Sequence, residues 1–140
     1  MVFVRVANVL DAPIVSELLF EFNGKALPAD ALAERMAQTE GLEMAFLGHW
    51  DGALAGLFVL RLVPTLSDAE DWAEVTEMYV RPGFRRKKVG RALFQAAIAH
   101  ARARGCRELH LLVDPRNTEA QSFYTALGFR LDSWEMRRRI

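Results

Sequence analysis

A short basic segment is the first part of this sequence whose residue types and spacing could do chemistry. Four consecutive bases, Arg85–Lys88, follow the strand-ending sequence Arg81-Pro82-Gly83 and lead into a helical pattern that begins near Val89. The first amides of a helix have no partner inside it, and the helix dipole makes that end positive, so such a loop attracts anions and suits phosphate best. Gly90 would allow close backbone approach in the first turn. The alternative is a solvated basic turn, and the segment alone leaves both interpretations open.

A second segment, residues 117–129, combines polar and aromatic side chains on a predicted helix. Asn117 stands at the helix start, and Tyr124 follows two turns later. On its own, Tyr124 is best interpreted as a half-buried aromatic residue. The apolar members of the segment are candidates for the core: Phe123, Leu127 and Phe129.

Hydrophobic periodicity and turn residues predict the elements that position these segments. The predicted order is β-α-α-β-β-β-α-β-α-β, a sheet with helices around it. Strands are predicted over residues 2–6, 44–50, 54–62, 73–80 and 109–113, with an extended last stretch over 129–140. Helices are predicted over residues 11–22, 30–41, 88–103 and 117–127. Asp51-Gly52, between two apolar runs, is a strong signal for a two-residue hairpin.

Taken together, the two segments resemble the GNAT (Gcn5-related N-acetyltransferase) superfamily. In that family a strand ending in Leu-Tyr-Val-x-Pro leads to Gln/Arg-x-x-Gly-x-Gly/Ala, and Asn…Phe-Tyr-x-x-x-Gly-Phe follows downstream. The matching residues here are Met78-Tyr79-Val80-Arg81-Pro82, then Arg85-Arg86-Lys87-Lys88-Val89-Gly90, and finally Asn117 with Phe123-Tyr124-Thr125-Ala126-Leu127-Gly128-Phe129. By motif the resemblance covers about residues 73–130, and the element order extends it along the chain. Lys88 stands where the family has its first glycine.

The resemblance implies an α/β (α+β) fold with a mixed, mainly antiparallel central sheet, a splayed pair of strands and helices on both faces. The length of 140 residues is close to the commonest size of one domain, so we expect residues 1–140 to form a single acetyltransferase domain.

The resemblance also implies acetyl-CoA as the co-substrate, with its pantetheine arm lying in the gap beside the splayed strand. The backbone of Met78 and Val80 would bond the pantetheine amides, and Asn117 would contact the arm from the other side. The residues that would hold the pyrophosphate belong to the loop and the first helical turn: Arg85, Arg86, Lys87, Lys88, Val89, Gly90 and Arg91. We expect Lys88 to take helical φ, with its side chain directed outward and its ammonium near the pyrophosphate.

Acetyl transfer to an amine makes two demands on side chains. An aliphatic ammonium has a pKa of roughly 10 and must lose a proton before its nitrogen attacks. The departing CoA sulfur leaves more easily if an acid stabilises or protonates it. Tyr124 matches the family tyrosine that acts as the acid and also lies against the cofactor. Glu77 is the first candidate base and Glu74 the second, although a water chain or a purely solvating role for either carboxylate stays open. Strand parity places Glu77 and Tyr79 on one face and Glu74 on the other, so at most one glutamate should face the acceptor.

The function that follows is an N-acetyltransferase in which a primary amine attacks acetyl-CoA directly in a ternary complex. A non-catalytic acyl-CoA-binding module of the same fold is the alternative, motivated by Lys88. A nucleic-acid module using Arg85–Lys88 and Arg137–Arg139 is disfavoured, because the net charge is zero and no aromatic residue lies among those bases.

The acceptor would be a small-molecule or protein amine, and homodimers are common in the family. Five carboxylates within ten residues suggest a cationic acceptor, although exposure alone explains them equally well. They are Asp68, Glu70, Asp71, Glu74 and Glu77.

The remaining residue types argue against other classes of protein. Cys106 is the single cysteine, which excludes an internal disulfide and, with no signal peptide in view, suggests the cytoplasm. No apolar run approaches the ~18 residues of a membrane span. His49, His100 and His110 lack ligand spacing, so we expect no metal site, and His100 is interpreted as a cation near a helix C-terminus.

Overall fold

Five strands and four α-helices make up the computed structural model, which describes all 140 residues of the chain. The strands are β1 (Val2–Val6), β2 (Glu43–Trp50), β3 (Ala53–Val63), β4 (Trp72–Val80) and β5 (Leu109–Leu111). The helices are α1 (Ala12–Asn23), α2 (Ala29–Gln38), α3 (Val89–Ala103) and α4 (Thr118–Ala126). One sheet contains all strands in the order β1-β2-β3-β4-β5; the first four are antiparallel neighbours, and β5 runs parallel to β4. The expected mixed, mainly antiparallel fold is confirmed.

The hairpin between β2 and β3 forms at the predicted dipeptide. Asp51 and Gly52 both have left-handed backbones, with φ of 47° and 85°. Two consecutive left-handed residues give the turn whose twist matches that of the flanking strands, so the dipeptide fixes the pairing of Trp50 with Ala53. This pairing starts the ladder between β2 and β3, whose register shifts by one residue between His49 and Gly48.

Helices α1 and α2 cover one face of the sheet, which we call the α1 face. Their apolar stripe packs on side chains of β2 and β3 that share that face. Leu18, Leu47 and Leu57 are completely buried there. The other buried members of this cluster are Ala12, Val15, Leu32, Ala45 and Val59.

Helix α3 covers the opposite face, where two glycines let it approach the sheet closely. Gly48 and Gly56 are direct partners in β2 and β3. A Cβ on Gly48 would lie 3.1 Å from the Val89 side chain, and one on Gly56 would lie 3.2 Å from Leu93. Val89 and Leu93 belong to the first turns of α3, so this hollow in the sheet positions the start of that helix beside the end of β4.

The chain divides into two compact units, Met1–His110 and Leu111–Ile140. Within the second unit, the Asn117 side chain caps α4 by accepting from the Ala120 amide (3.0 Å). The strand predicted over residues 109–113 is shorter in the structure and ends at Leu111. A turn begins at Asp114, whose carboxylate accepts a hydrogen bond from the Arg116 amide (2.8 Å).

The last stretch, residues 129–140, is neither helix nor strand, so the strand predicted there is wrong. Its large apolar residues pack against no other part of the chain, so no buried face holds this segment in the sheet. They are Leu131, Trp134, Met136 and Ile140, all highly exposed. Separately, none of the helices in the chain is long and apolar enough to cross a bilayer.

Candidate active site

The loop between β4 and α3 has two left-handed residues that are not glycine. Arg86 has φ of 63° and Lys88 has φ of 64°. The expectation of helical φ at Lys88 was therefore wrong. The chain must leave β4 and turn within a few residues into a helix whose start is fixed against Gly48 and Gly56, and left-handed residues make that turn. Left-handed residues beside ordinary ones are also the backbone pattern of anion-binding nests.

The side chains of this loop leave the start of α3 without a cap. Lys88 precedes the helix and makes no side-chain capping bond, and the first turn contains no acidic residue. The first amides of α3 can therefore face an anion. Arg85 donates through Nε to the Val80 carbonyl (3.2 Å), and the Lys87 ammonium lies 5.1 Å from the centre of the Trp50 ring. These two bases thus contact the protein itself.

Peptide groups near the end of β4 alternate between the two edges of the strand. The Arg81 amide donates to the Ala55 carbonyl on β3 (2.8 Å). Because alternate residues of a strand direct their peptide groups to the same edge, Tyr79 also points to β3, whereas Met78 and Val80 point away from it. The Met78 and Val80 peptide groups thus face the outer edge of β4, on the side of β5.

The outer edge of β4 has only a short strand beside it. The Ala73 amide donates to the Glu108 carbonyl (3.0 Å), which aligns the start of β4 with the residue before β5. Both strands run in the same direction, and β5 has three residues whereas β4 has nine. The part of β4 from Glu77 onward therefore extends past β5, where the resemblance implied a splayed pair.

A β-bulge in β4 changes which glutamates share a face. Val59 pairs with Glu77 and the next residue, Leu60, pairs with Val75, so Thr76 is the extra residue. Directly paired residues carry their side chains on the same face. Glu77 consequently lies on the α1 face with Val59, and the parity predicted across Thr76 is wrong.

Glu74 lies on the α1 face as well, because it pairs with Arg61, two residues beyond Val59 on β3. Its carboxylate accepts from Arg61 Nη2 (2.6 Å). Glu77 instead accepts from a neutral donor, the side-chain amide of Asn23 at the end of α1 (3.2 Å). The two candidate bases therefore share a face but differ in their partners. A cation neutralises the charge of Glu74, whereas a neutral amide contacts Glu77.

A network not predicted from the sequence joins α1 to the end of β4. Arg81 donates to both carboxylate oxygens of Glu21 (3.1 and 2.8 Å), and it also forms an ion pair with Glu17. The Tyr79 hydroxyl donates to the same Glu21 carboxylate (3.1 Å). Arg81 holds the pKa of Glu21 below its usual value, while burial, followed by the contact with Glu21, raises the pKa of Tyr79. The spacing of Glu17 and Glu21, one helical turn apart, was the signal in the sequence for a shared basic partner.

Asn117 and Tyr124 belong to the second unit, whereas the residues described above belong to the first. Tyr124 packs edge-on against Phe123 and Phe129, with ring centroids 5.4 and 5.6 Å away. Burial raises the pKa of its hydroxyl. The hydroxyl is therefore protonated at neutral pH and is able to donate.

Comparison with known proteins decides the family. Residues 13–129 match the sequence model of the acetyltransferase (GNAT) family. This chain belongs to the GNAT acetyltransferase family. Acetyl-CoA is the co-substrate of that family.

Two curated relatives show which acceptors similar acetyltransferases use. The spermidine N(1)-acetyltransferase of Thermoplasma acidophilum is 28% identical over 72% of this chain and 60% of that protein. The aminoglycoside N(6')-acetyltransferase type 1 of Salmonella typhimurium is 29% identical over 74% of this chain and 66% of that protein. This GNAT chain thus spans less than two thirds of the length of either relative.

Among solved structures, the aminoglycoside acetyltransferase AAC(6')-Iy in complex with the bisubstrate analogue CoA-S-monomethyl-acetylneamine has the same fold. It superposes with a TM-score of 0.85 at 23% identity, covering 100% of this GNAT chain and 98% of that one.

Two other residues of this GNAT chain that could titrate, His100 and Cys106, pack within the fold. His100 packs edge-on against Phe46 (6.0 Å), and burial lowers the pKa of its imidazole, so the interpretation of His100 as a cation is wrong. Cys106 is buried, and burial raises the pKa of its thiol. No group of three His, Cys, Asp or Glu side chains could hold a metal ion.

Proposed function

We propose that this chain transfers the acetyl group of acetyl-CoA to a primary amine, by direct attack of the amine in a ternary complex. The observation that carries the proposal is the arrangement of peptide groups and side chains at the end of β4. There, the Met78 and Val80 peptide groups point away from β3, the next loop leads to the uncapped start of α3, and the Glu77 carboxylate contacts Asn23 of α1. This arrangement supports a site for acetyl-CoA at the outer edge of β4 and a site for the amine on the α1 face.

The chain's own residues suit the parts of acetyl-CoA in order along the sequence. Met78 and Val80 present peptide groups for the pantetheine amides. Arg86 and Lys88 give the loop its nest-like backbone, and the first amides of α3, from Val89 to Arg91, meet the pyrophosphate. Arg85 and Lys87 add positive charge once they leave their contacts with the protein. The side-chain oxygen of Asn117 caps α4, so the remaining hydrogen-bonding groups of this residue would contact the pantetheine arm.

Glu77 is the residue we propose as the base. Acetyl-CoA supplies a thioester carbonyl, and the ammonium of the acceptor must lose a proton before its nitrogen can attack that carbon. The Asn23 amide orients the Glu77 carboxylate without neutralising it, whereas Arg61 neutralises Glu74. Proton removal through a chain of waters that ends at Glu77 fits the same geometry. Tyr124 is the proposed acid, which donates its hydroxyl proton to the departing sulfur.

The proposed acceptor is a cationic small-molecule or protein amine. Glu77 and Glu74 share the face on which the acceptor would lie, and two relatives act on spermidine and on aminoglycosides by their names. Ion pairs reduce the charge of the acidic segment, however, since Arg107 pairs with Glu70 (3.0 Å) and Arg61 with Glu74. The preference for a cation would therefore depend mainly on Glu77 and its neighbours on α1.

A panel of amines tested by release of free CoA thiol checks this proposal. Glu77→Gln should lower kcat with the best acceptor by about 10- to 1,000-fold, because the side chain keeps its size and loses its basicity. Glu74→Gln is the matched control and should lower kcat far less. An equal loss in both variants, or a loss confined to Glu74→Gln, would contradict the assignment of the base. Binding of acetyl-CoA with no thiol release from any amine would favour the non-catalytic alternative.

A further inference from the structure

Arg81 stands where the elements proposed for the two substrates meet. It is the residue directly after β4, between the Met78–Val80 peptide groups and the loop that leads to α3. Its guanidinium binds Glu21 through two nitrogens, forms an ion pair with Glu17 and donates through Nη1 to the Leu54 carbonyl (3.2 Å). Only 24% of its side chain is exposed. These contacts fasten the second half of α1 to the hairpin and to β4.

The second half of α1 carries two carboxylates, and the helix has no basic residue of its own to pair with them. Glu17 and Glu21 lie four residues apart and repel each other on the same side of the helix. Glu21 also lies in the last turn, where the helix dipole is negative and disfavours a carboxylate. The last turn of α1 contains no basic residue. Arg81 therefore supplies, from β4, the positive charge that this end of the helix lacks.

The Arg81 side chain contacts residues of α1, whereas backbone contacts hold the start of the phosphate loop. Its own backbone amide is held by the Ala55 carbonyl, and the Phe84 amide donates to the Arg81 carbonyl (2.9 Å). Pro82 restricts φ at the first position of the loop. None of these features needs the guanidinium, so shortening the side chain should release α1 while the loop keeps its conformation.

We propose that Arg81 is a positioning residue that holds the end of α1 against β4, so that an amine beside Glu77 meets the acetyl group. The link to Glu77 is Asn23, which lies two residues after Glu21 and donates to the Glu77 carboxylate. The inference rests on the proposed function and deepens it: the Arg81 side chain governs use of the acceptor and has little effect on acetyl-CoA binding.

The test compares Arg81→Gln with Arg5→Gln. Arg5 is the matched control because it makes a similar two-nitrogen ion pair, with Asp11 at the other end of α1 (2.8 and 2.8 Å). In Arg81→Gln, amide hydrogen exchange of residues 17–23 should accelerate, while that of residues 82–93 stays unchanged. Calorimetric titration should give an acetyl-CoA Kd within about twofold of the wild type. The kcat/KM for the best acceptor among spermidine, kanamycin and lysine methyl ester should fall by about 10- to 100-fold, as expected for a misplaced reactant.

Two further comparisons make the outcome decisive. Glu21→Gln should reproduce the loss in kcat/KM, and the double variant should lose little more than either single one, because both remove the same contact. Unchanged exchange in residues 17–23, an equal loss of kcat/KM in Arg5→Gln, or a weakened acetyl-CoA Kd that accounts for the loss would overturn the role of Arg81. A wild type that acetylates none of the amines would instead refute the proposed function, and with it any role in acceptor use.

Discussion

Among single residues, Lys88 shows most directly how the loop departs from the family motif and what that departure costs. A left-handed conformation at a residue with a Cβ costs about 1 kcal/mol or more, and Lys88 adopts it immediately before α3. Glycine adopts the same conformation without that penalty. The lysine is therefore retained at a cost in stability, which its charge beside the proposed pyrophosphate site would offset when acetyl-CoA is bound.

Replacing Lys88 by glycine should stabilise the free protein. We expect Lys88→Gly to raise the free energy of unfolding, measured by urea denaturation, by about 0.5–1 kcal/mol, because the strain at φ of 64° disappears.

Two control variants separate strain from charge. Lys88→Ala removes the charge but keeps the Cβ, so it should give no such gain. Lys87→Gly should destabilise, since that residue has no positive φ and its ammonium contacts Trp50. A Lys88→Gly protein no more stable than Lys88→Ala would show that the conformation carries no strain.

Among the elements, the packing of α3 on the sheet determines where the phosphate loop lies. Gly56 is the sensitive position, because a Cβ there would lie 2.7 Å from the Tyr79 carbonyl and 3.2 Å from the Leu93 side chain. We expect Gly56→Ala to lower the free energy of unfolding by about 1–3 kcal/mol, as overpacking does, and to weaken acetyl-CoA binding through displacement of β4 or α3. Gly83→Ala is the control, since a Cβ there would contact nothing within 4 Å. Equal stability of the two variants in urea denaturation would contradict this packing argument.

The start of α1 is held to β1 by an ion pair whose contribution depends on pH. Hydrogen bonds from Arg5 hold the pKa of Asp11 at about 2, below its ordinary value of 3.8. A lowered carboxyl pKa stabilises the fold above about pH 4, and this stabilisation disappears as the pH falls from about 4 to about 2. The Arg5 side chain is 35% exposed, so we expect Asp11→Asn to cost about 1 kcal/mol at neutral pH.

Urea denaturation at several pH values checks this expectation. The difference between wild type and Asp11→Asn should shrink below pH 4. A difference between wild type and Asp11→Asn that stays constant down to about pH 2 would count against the ion pair as its cause.

The sequence predicted those elements whose signals are local. Asp51-Gly52 forms its hairpin because both residues tolerate left-handed φ, and the apolar face of α3 follows its sequence period. The bulge at Thr76 could not be predicted, because it depends on how β4 pairs with β3, and it reversed the expected separation of Glu74 and Glu77. The spacing of Glu17 and Glu21 indicated a shared basic partner, but Arg81 lies about 60 residues away in the sequence, so no local pattern identified it.

At the scale of the whole molecule, the family match runs from residue 13 to residue 129 and so includes parts of both compact units. We therefore propose that residues 1–140 act as one acetyltransferase domain, as the length of the chain suggested. The proposed base and the phosphate loop belong to the first unit, whereas the proposed acid, Tyr124, belongs to the second.

The most direct test of acetyl transfer follows both products in one reaction. Purified protein is incubated with acetyl-CoA and each amine of the panel, and mass spectrometry quantifies the acetylated amine and free CoA. The account predicts that the two appear in equal amounts, at a rate proportional to the amount of protein, with at least one cationic primary amine. Free CoA without acetylated amine, or neither product from a folded protein that binds acetyl-CoA, would contradict it.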